Sequence, residues 1–191
     1  MEKCKNLLSY KQVGVEDIPN IDLYMDQLTG YIDTVFEKFK IDKDEKILTK
    51  TMINNYVKAK IIDKPTKKKY NKDQIMQLIM IYNLKNILSI SEIDKLYKVQ
   101  KNQLEANNNE KKDECVVTEC LTSNTEEMYK NFLEVQQEVI KEAKIDFEEN
   151  SKLEKEDMIK HVFKLVLKAD INKRLAEHTL AELSNIKNKS V

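Results

Sequence analysis

Apolar side chains along this chain recur mostly at intervals of three and four residues, the period of a helix with one face turned to a core. From Ile21 they fall at Met25, Leu28, Ile32, Val35, Phe36 and Phe39, with Asp22, Asp26, Asp33 and Glu37 between them. Acids near the start of such an element suit the helix dipole. Gly30 lies inside the pattern and costs about 1 kcal/mol there against alanine, so the stretch reads either as one helix or as two. Residues 1–18 are poorly periodic and are expected to form an N-terminal arm. Asp42-Lys43-Asp44-Glu45 reads as a polar loop.

The stretch from Thr49 to Tyr97 organises the chain. Thr49 is a candidate N-cap, because its hydroxyl can accept from an orphan N–H of the first turn. Ile53, Tyr56 and Val57 then mark a core face, with Ile61-Ile62 at the exit, while Lys50, Thr51, Asn54, Asn55 and Lys58 fall largely on the other face. Asp63-Lys64-Pro65 stops this helix, since a proline disfavours helical backbone at the residue before it. Lys67-Lys68-Lys69-Tyr70 follows as a short basic loop or wing. Asn71 with Gln74, and Ser89 with Glu92, have capping-box spacing. Ile75, Leu78, Ile79 and Tyr82 give the core face of the first helix so opened, and Ile90, Ile93 and Leu96 that of the second.

Periodicity is lost between Gln100 and Thr122, and residues 101–122 read as a linker. A new helix is expected from Ser123–Thr125, with Met128, Phe132, Val135, Val139, Ala143 and Phe147 along one stripe. Ser151 with Glu154 opens the last helix. Its first half, from Met158 to Ala169, is apolar around most of its circumference, and its second half narrows to Leu175, Ala176, Leu180, Leu183 and Ile186. Two long helices joined by a few residues predict an antiparallel hairpin. A pair alone does not bury a face this wide, so the excess must pack on the first domain or on another subunit.

Composition sharpens the class. Gly and Pro number two each in 191 residues, too few for the tight turns of an all-β fold, and the expected fold is mostly α. No apolar run approaches the ~20 residues of a membrane span, and MEKCKNLLSY lacks the apolar region of a signal peptide. Cys4, Cys115 and Cys120 follow no disulfide framework. Together these point to a cytoplasmic protein.

Net charge is zero, with 33 basic and 33 acidic side chains, yet Lys46 to Lys85 holds ten lysines against Asp63 and Asp73. An excess of this size on one helical unit is an electrostatic footprint for phosphate. Residues 1–100 carry net +4 and residues 101–191 net −4, as for two halves with different partners.

Within that basic segment, Thr49-Lys50-Thr51-Met52-Ile53-Asn54-Asn55-Tyr56-Val57, Lys60-Ile61-Ile62, Lys68-Lys69-Tyr70-Asn71 and Ile87-Leu88-Ser89-Ile90-Ser91-Glu92-Ile93-Asp94-Lys95-Leu96 follow one another in an order that resembles the winged helix-turn-helix of the MerR family of bacterial transcription regulators. In that family a recognition helix, a glycine-containing exit, a wing and a further helix stand in the same sequence. The resemblance covers about a quarter of the chain. The whole chain also looks like a family of small, uncharacterised bacterial proteins carrying this module. Asn54 and Asn55 stand where the family has arginine and tyrosine, Lys60 and Ile87 replace glycines, and an insertion from Gly30 to Lys46 separates the first two helices.

The resemblance implies a DNA reader whose docking face is apolar and whose outer face carries amide and cationic groups. Asn54 and Asn55 would offer donor and acceptor to adenine. Lys50, Thr51 and Lys58, with Thr49 at the cap, would hold phosphates, and Lys67, Lys68, Lys69 and Tyr70 would form a gripping wing. The bland alternatives are a solvated helix face, an ordinary charged loop and, for Tyr70, a ring packed at the core edge with its hydroxyl outward. Cys115 and Cys120 supply two ligands where a tetrahedral metal site needs four. His161 and His178 read as residues of the helix surface or core edge. No catalytic motif or cofactor loop is found in the sequence, so neither an enzyme nor a metal or cofactor protein is expected.

The expectation is a DNA-binding regulator, in which residues 19–100 read duplex DNA and 123–191 form a dimerising and effector region. It would be a homodimer through the C-terminal helices, with room for a small-molecule effector and no membrane contact. The alternative is a protein-interaction module on a winged-helix scaffold that does not bind DNA.

Overall fold

In a computed structural model, which describes residues 2–40, 46–111, 124–150 and 153–186, the chain is mostly helical. The elements in order are α1 (Glu2–Leu8), β1 (Leu23–Tyr24), α2 (Met25–Val35), α3 (Lys50–Lys58), β2 (Lys69–Tyr70), α4 (Lys72–Leu84), α5 (Ile90–Lys111), α6 (Asn124–Glu149) and α7 (Lys155–Ile186), with 3-10 turns at Val15–Asp17 and Glu37–Phe39. They fall into two units: residues 11–134, and residues 1–10 with 135–191.

The unit of residues 11–134 is built around α4. Ile75, Met76, Leu78, Ile79, Met80 and Ile81 are all buried, so α4 is enclosed on every side, as a helix apolar all round must be. Leu28, Ile32 and Phe36 of the α2 segment, Ile53 and Tyr56 of α3, and Ile93 of α5 supply the surrounding core. The Phe36 ring stands 4.1 Å from that of Tyr82, with Phe39 at 5.7 Å from Phe36. Gly30 does not split α2, which runs through it.

The local start signals act as expected. Met52 N–H donates to Thr49 Oγ1 at 3.2 Å. Asn71 and Gln74 cap reciprocally at 2.9 Å in both directions, and Ser89 and Glu92 do the same at 2.7 and 3.3 Å. Gln74 is buried, yet its Nε2 also donates to Asp63 O at 2.8 Å, which ties the exit of α3 to the start of α4. A buried amide with both ends engaged stabilises the junction and leaves no orphaned polar group.

β1 and β2 pair antiparallel, with Leu23 opposite Tyr70 and Tyr24 opposite Lys69. α2 leaves directly from β1, and α4 follows β2 after Asn71, so this ribbon fixes the starts of both helices. The segment 1–18, expected as an arm, contains α1 and buries Val13 and Ile18. Val13 O accepts from the fully buried Tyr129 hydroxyl at 2.7 Å, and Gln12 Nε2 donates to Leu133 O at 2.7 Å. Residues 101–111, expected as linker, continue α5. The rest of that linker, with Cys115 and Cys120, lies outside the described residues.

In the other unit α7 meets α6 at Asp146. His161 Nε2 is 3.8 Å and Lys164 Nζ 3.5 Å from its carboxylate. Val135, Val139 and Ile145 of α6 are exposed, as are the large apolar residues of α7 from Met158 to Leu175. Among the described residues no helix is long and apolar enough to cross a membrane.

Candidate nucleic-acid interface

α3 is amphipathic in the way a groove-reading helix requires. Ile53 is 0% and Tyr56 4% exposed, while Lys50, Thr51, Asn54, Asn55 and Lys58 are all exposed. The split follows from spacing: residues 50, 54 and 58 lie one turn apart, with 51 and 55 beside them. Thr49 is half-buried and its hydroxyl accepts the Met52 N–H, so its first role is to start the helix. Lys50 is ion-paired to Asp26 in the first turn of α2.

The helix ends in a left-handed residue. Lys60 has φ 61°, its N–H donates to Val57 O at 3.1 Å, and the Ile61 N–H donates to Tyr56 O at 3.1 Å. This pair of bonds is the Schellman closure, for which glycine is the usual residue. It turns Ile61 and Ile62 inward, where both are buried, and sends the chain toward the basic turn.

That turn is a two-residue hairpin. Thr66 and Lys69 form a bridge, with Lys69 N–H donating to Thr66 O at 2.9 Å, and Lys67 and Lys68 between them have φ 50° and 64°. Positive φ at both central positions is the type I′ arrangement, whose twist matches that of flanking strands and which prefers Asn-Gly. Here two lysines stand at the exposed tip instead. Left-handed backbone costs roughly 1–2 kcal/mol per residue bearing a Cβ. The described residues outside glycine have positive φ at Lys60, Lys67 and Lys68, while neither glycine does.

The remaining wing residues divide. Lys69 is half-buried and its ammonium lies 4.9 Å from the centre of the Tyr24 ring. Tyr70 is 2% exposed and belongs to the core, so as a residue in contact with nucleic acid it is corrected: the inward side of a two-residue strand places its ring beneath the ribbon. Among the described residues no ion pair engages Lys58, Lys67 or Lys68. Lys85, counted in the basic footprint, donates to Ile47 O at 3.0 Å and sits over Tyr82 at 5.1 Å, which makes it structural.

A cleft of about 350 Å³ lies beside α3, lined by Met52, Asn55 and Tyr56 and, across from them, Lys85, Leu88, Ile90 and Ile93 among others. Sequence reasoning missed this cleft, because its walls come from segments some thirty residues apart. It also missed Asp26 and Tyr24. Their signal was the approach of β1 and α2 to the basic segment, which periodicity does not reveal. Among the described residues no group of His, Cys, Asp and Glu is placed to hold a metal ion.

A family model described as "Domain of unknown function (DUF1836)" matches residues 13–132, and the chain belongs to that family. The match nearly coincides with the unit of residues 11–134, so α7 lies outside it. No curated protein and no solved structure matches the chain.

Proposed function

We propose that the unit of residues 11–134 is a cytoplasmic DNA-binding module of MerR-like winged helix-turn-helix type that serves transcriptional regulation. α3 reads the major groove, and the Thr66–Lys69 hairpin grips the flanking backbone. The observation that carries this reading is the hairpin tip. Two lysines occupy a turn that favours Asn-Gly, at a conformational cost, and the tip stands in chain order directly after a helix whose outer face is lysine, threonine and asparagine. Strain held at an exposed, charged tip is what a phosphate contact would retain. Asn54 and Asn55 supply the amides for base edges, with Lys50, Thr51 and Lys58 toward the backbone.

The test is replacement of Lys67 and Lys68 with glutamate in the full chain, read by binding to duplex DNA. Loss of binding with an unchanged helical spectrum supports the reading, and undiminished binding overturns it.

The cleft beside α3 favours a second reading. Exposed Ile90 lines an opening that also holds Met52, Tyr56, Leu88 and Ile93, a surface suited to a protein side chain. On that reading the module docks a protein, and the lysine replacements change nothing.

A further inference from the structure

We propose that Tyr24 is a contact residue of the DNA interface, its ring packing on a deoxyribose of the strand that passes between the hairpin tip and the start of α3. The proposal rests on the DNA-binding reading and adds to it a residue from outside the basic segment.

The ribbon sorts its four side chains by face. Leu23 and Tyr70 stand opposite each other and are buried, at 6% and 2% exposed. Tyr24 and Lys69 are the other pair, and alternation along a strand puts them on the outer face. There Tyr24 is 51% exposed. Lys69 lies over its ring, with the ammonium 4.9 Å from the centre. A cation at that distance is drawn to the face of the ring and holds its orientation.

Tyr24 adjoins both elements assigned to DNA. On one side is the tip, since Lys67 and Lys68 are the two residues between Thr66 and Lys69. On the other side Tyr24 leads directly into α2, whose Asp26 is ion-paired to Lys50 in the first turn of α3. A DNA strand gripped at the tip and at the start of α3 therefore passes over this ring.

The surroundings select what the ring touches. Asp22 and Asp26 flank Tyr24 in sequence and both are exposed, so a phosphate on its hydroxyl would meet like charge. Lys69 covers one face, so the ring lacks the two free faces needed to insert between base pairs. The part of the backbone that fits is the uncharged sugar, whose C–H groups pack on an aromatic surface.

The test uses the full chain, which contains no tryptophan. Tyr24→Trp places a single indole at the proposed contact. Its emission should shift to the blue and become protected from acrylamide when a duplex of about 30 base pairs is added at about 50 mM salt. Tyr24→Ala should weaken duplex binding about tenfold with the salt slope of log K unchanged, because ring burial is lost and no phosphate contact is. Tyr24→Phe should bind within about twofold of wild type, because the ring and not the hydroxyl makes the contact. Indole emission that ignores bound duplex overturns the proposal, as does Tyr24→Ala binding within about twofold of wild type. A tenfold loss in Tyr24→Phe overturns the sugar contact in favour of a hydroxyl on phosphate. Wild type that binds no duplex overturns the DNA-binding reading and this contact together, so the two failures are told apart. Should Tyr24→Ala fail to fold, the tryptophan and phenylalanine variants still decide.

Discussion

Lys50, the first residue of α3, is ion-paired to Asp26 in the first turn of α2. The candidate reading helix therefore begins with its leading cation held by its own protein. Both groups are largely solvent-exposed, at 58% and 80%, so the pair contributes little to folding, less than about 1 kcal/mol. For a helix that meets DNA, Asp26 is a like charge beside phosphate and a competitor for Lys50. Asp26→Asn should tighten duplex binding about three- to tenfold at low salt and leave thermal stability nearly unchanged. Fluorescence anisotropy and a melting curve on the same preparation check both.

The hairpin tip predicts an exchange of stability for binding. Lys67→Asn with Lys68→Gly supplies the residues that a type I′ turn prefers, and should stabilise the unit by about 1–2 kcal/mol. If both lysines contact phosphates, the same change reduces the magnitude of the salt slope of log K by about 1.8. Denaturant unfolding paired with DNA titration measures both terms, and a gain in stability with no loss of binding would remove the wing from the interface.

Lys60 and Gly30 are mismatched to their backbones in opposite senses. Lys60 occupies a left-handed closure without glycine, while Gly30 sits inside a helix where an added Cβ meets open space. Lys60→Gly and Gly30→Ala should each stabilise by about 1 kcal/mol. Gly30→Ala should leave DNA binding untouched, which makes it the control for the wing variant.

Tyr31 ties the end of the first 3-10 turn to α2, its hydroxyl donating to Asp17 O at 3.2 Å. Burial, with a smaller contribution from the Asp17 charge, pushes its phenol up to about 12. The unfolded chain then releases this proton first, near 10, so the stabilisation is intact below pH 10 and is lost as pH rises toward 12. Tyr31→Phe should be less stable at pH 9 and should lose less than wild type between pH 9 and 12, as read by urea unfolding.

What was legible in the sequence was local. The caps at Thr49, Asn71 and Ser89 depend on residues three apart, and the buried and exposed faces of α3 follow from its own period. What was not legible depends on distant contacts or on residues in uncommon roles. The β1–β2 ribbon pairs two-residue strands far apart in sequence, too short for any alternation to register. Lys60, Lys67 and Lys68 adopt backbone that lysine rarely takes, so no turn signal marked them. Tyr129 lay one position off the stripe through Met128 and Phe132, yet it is the residue that reaches Val13. Tyr70 read both as part of a basic wing, because its neighbours are lysines, and as a ring at the core edge, and its strand turns it fully inward.

The central claim is that α3 and the hairpin tip neutralise DNA phosphates, and the most direct test is duplex binding across salt concentration. With fluorescence anisotropy on a random duplex of about 30 base pairs, contacts from Lys50, Lys58, Lys67 and Lys68 predict log K falling linearly with log salt, with a slope between about −3 and −4 for each reading unit. No binding at about 50 mM salt, or binding indifferent to salt, would contradict it.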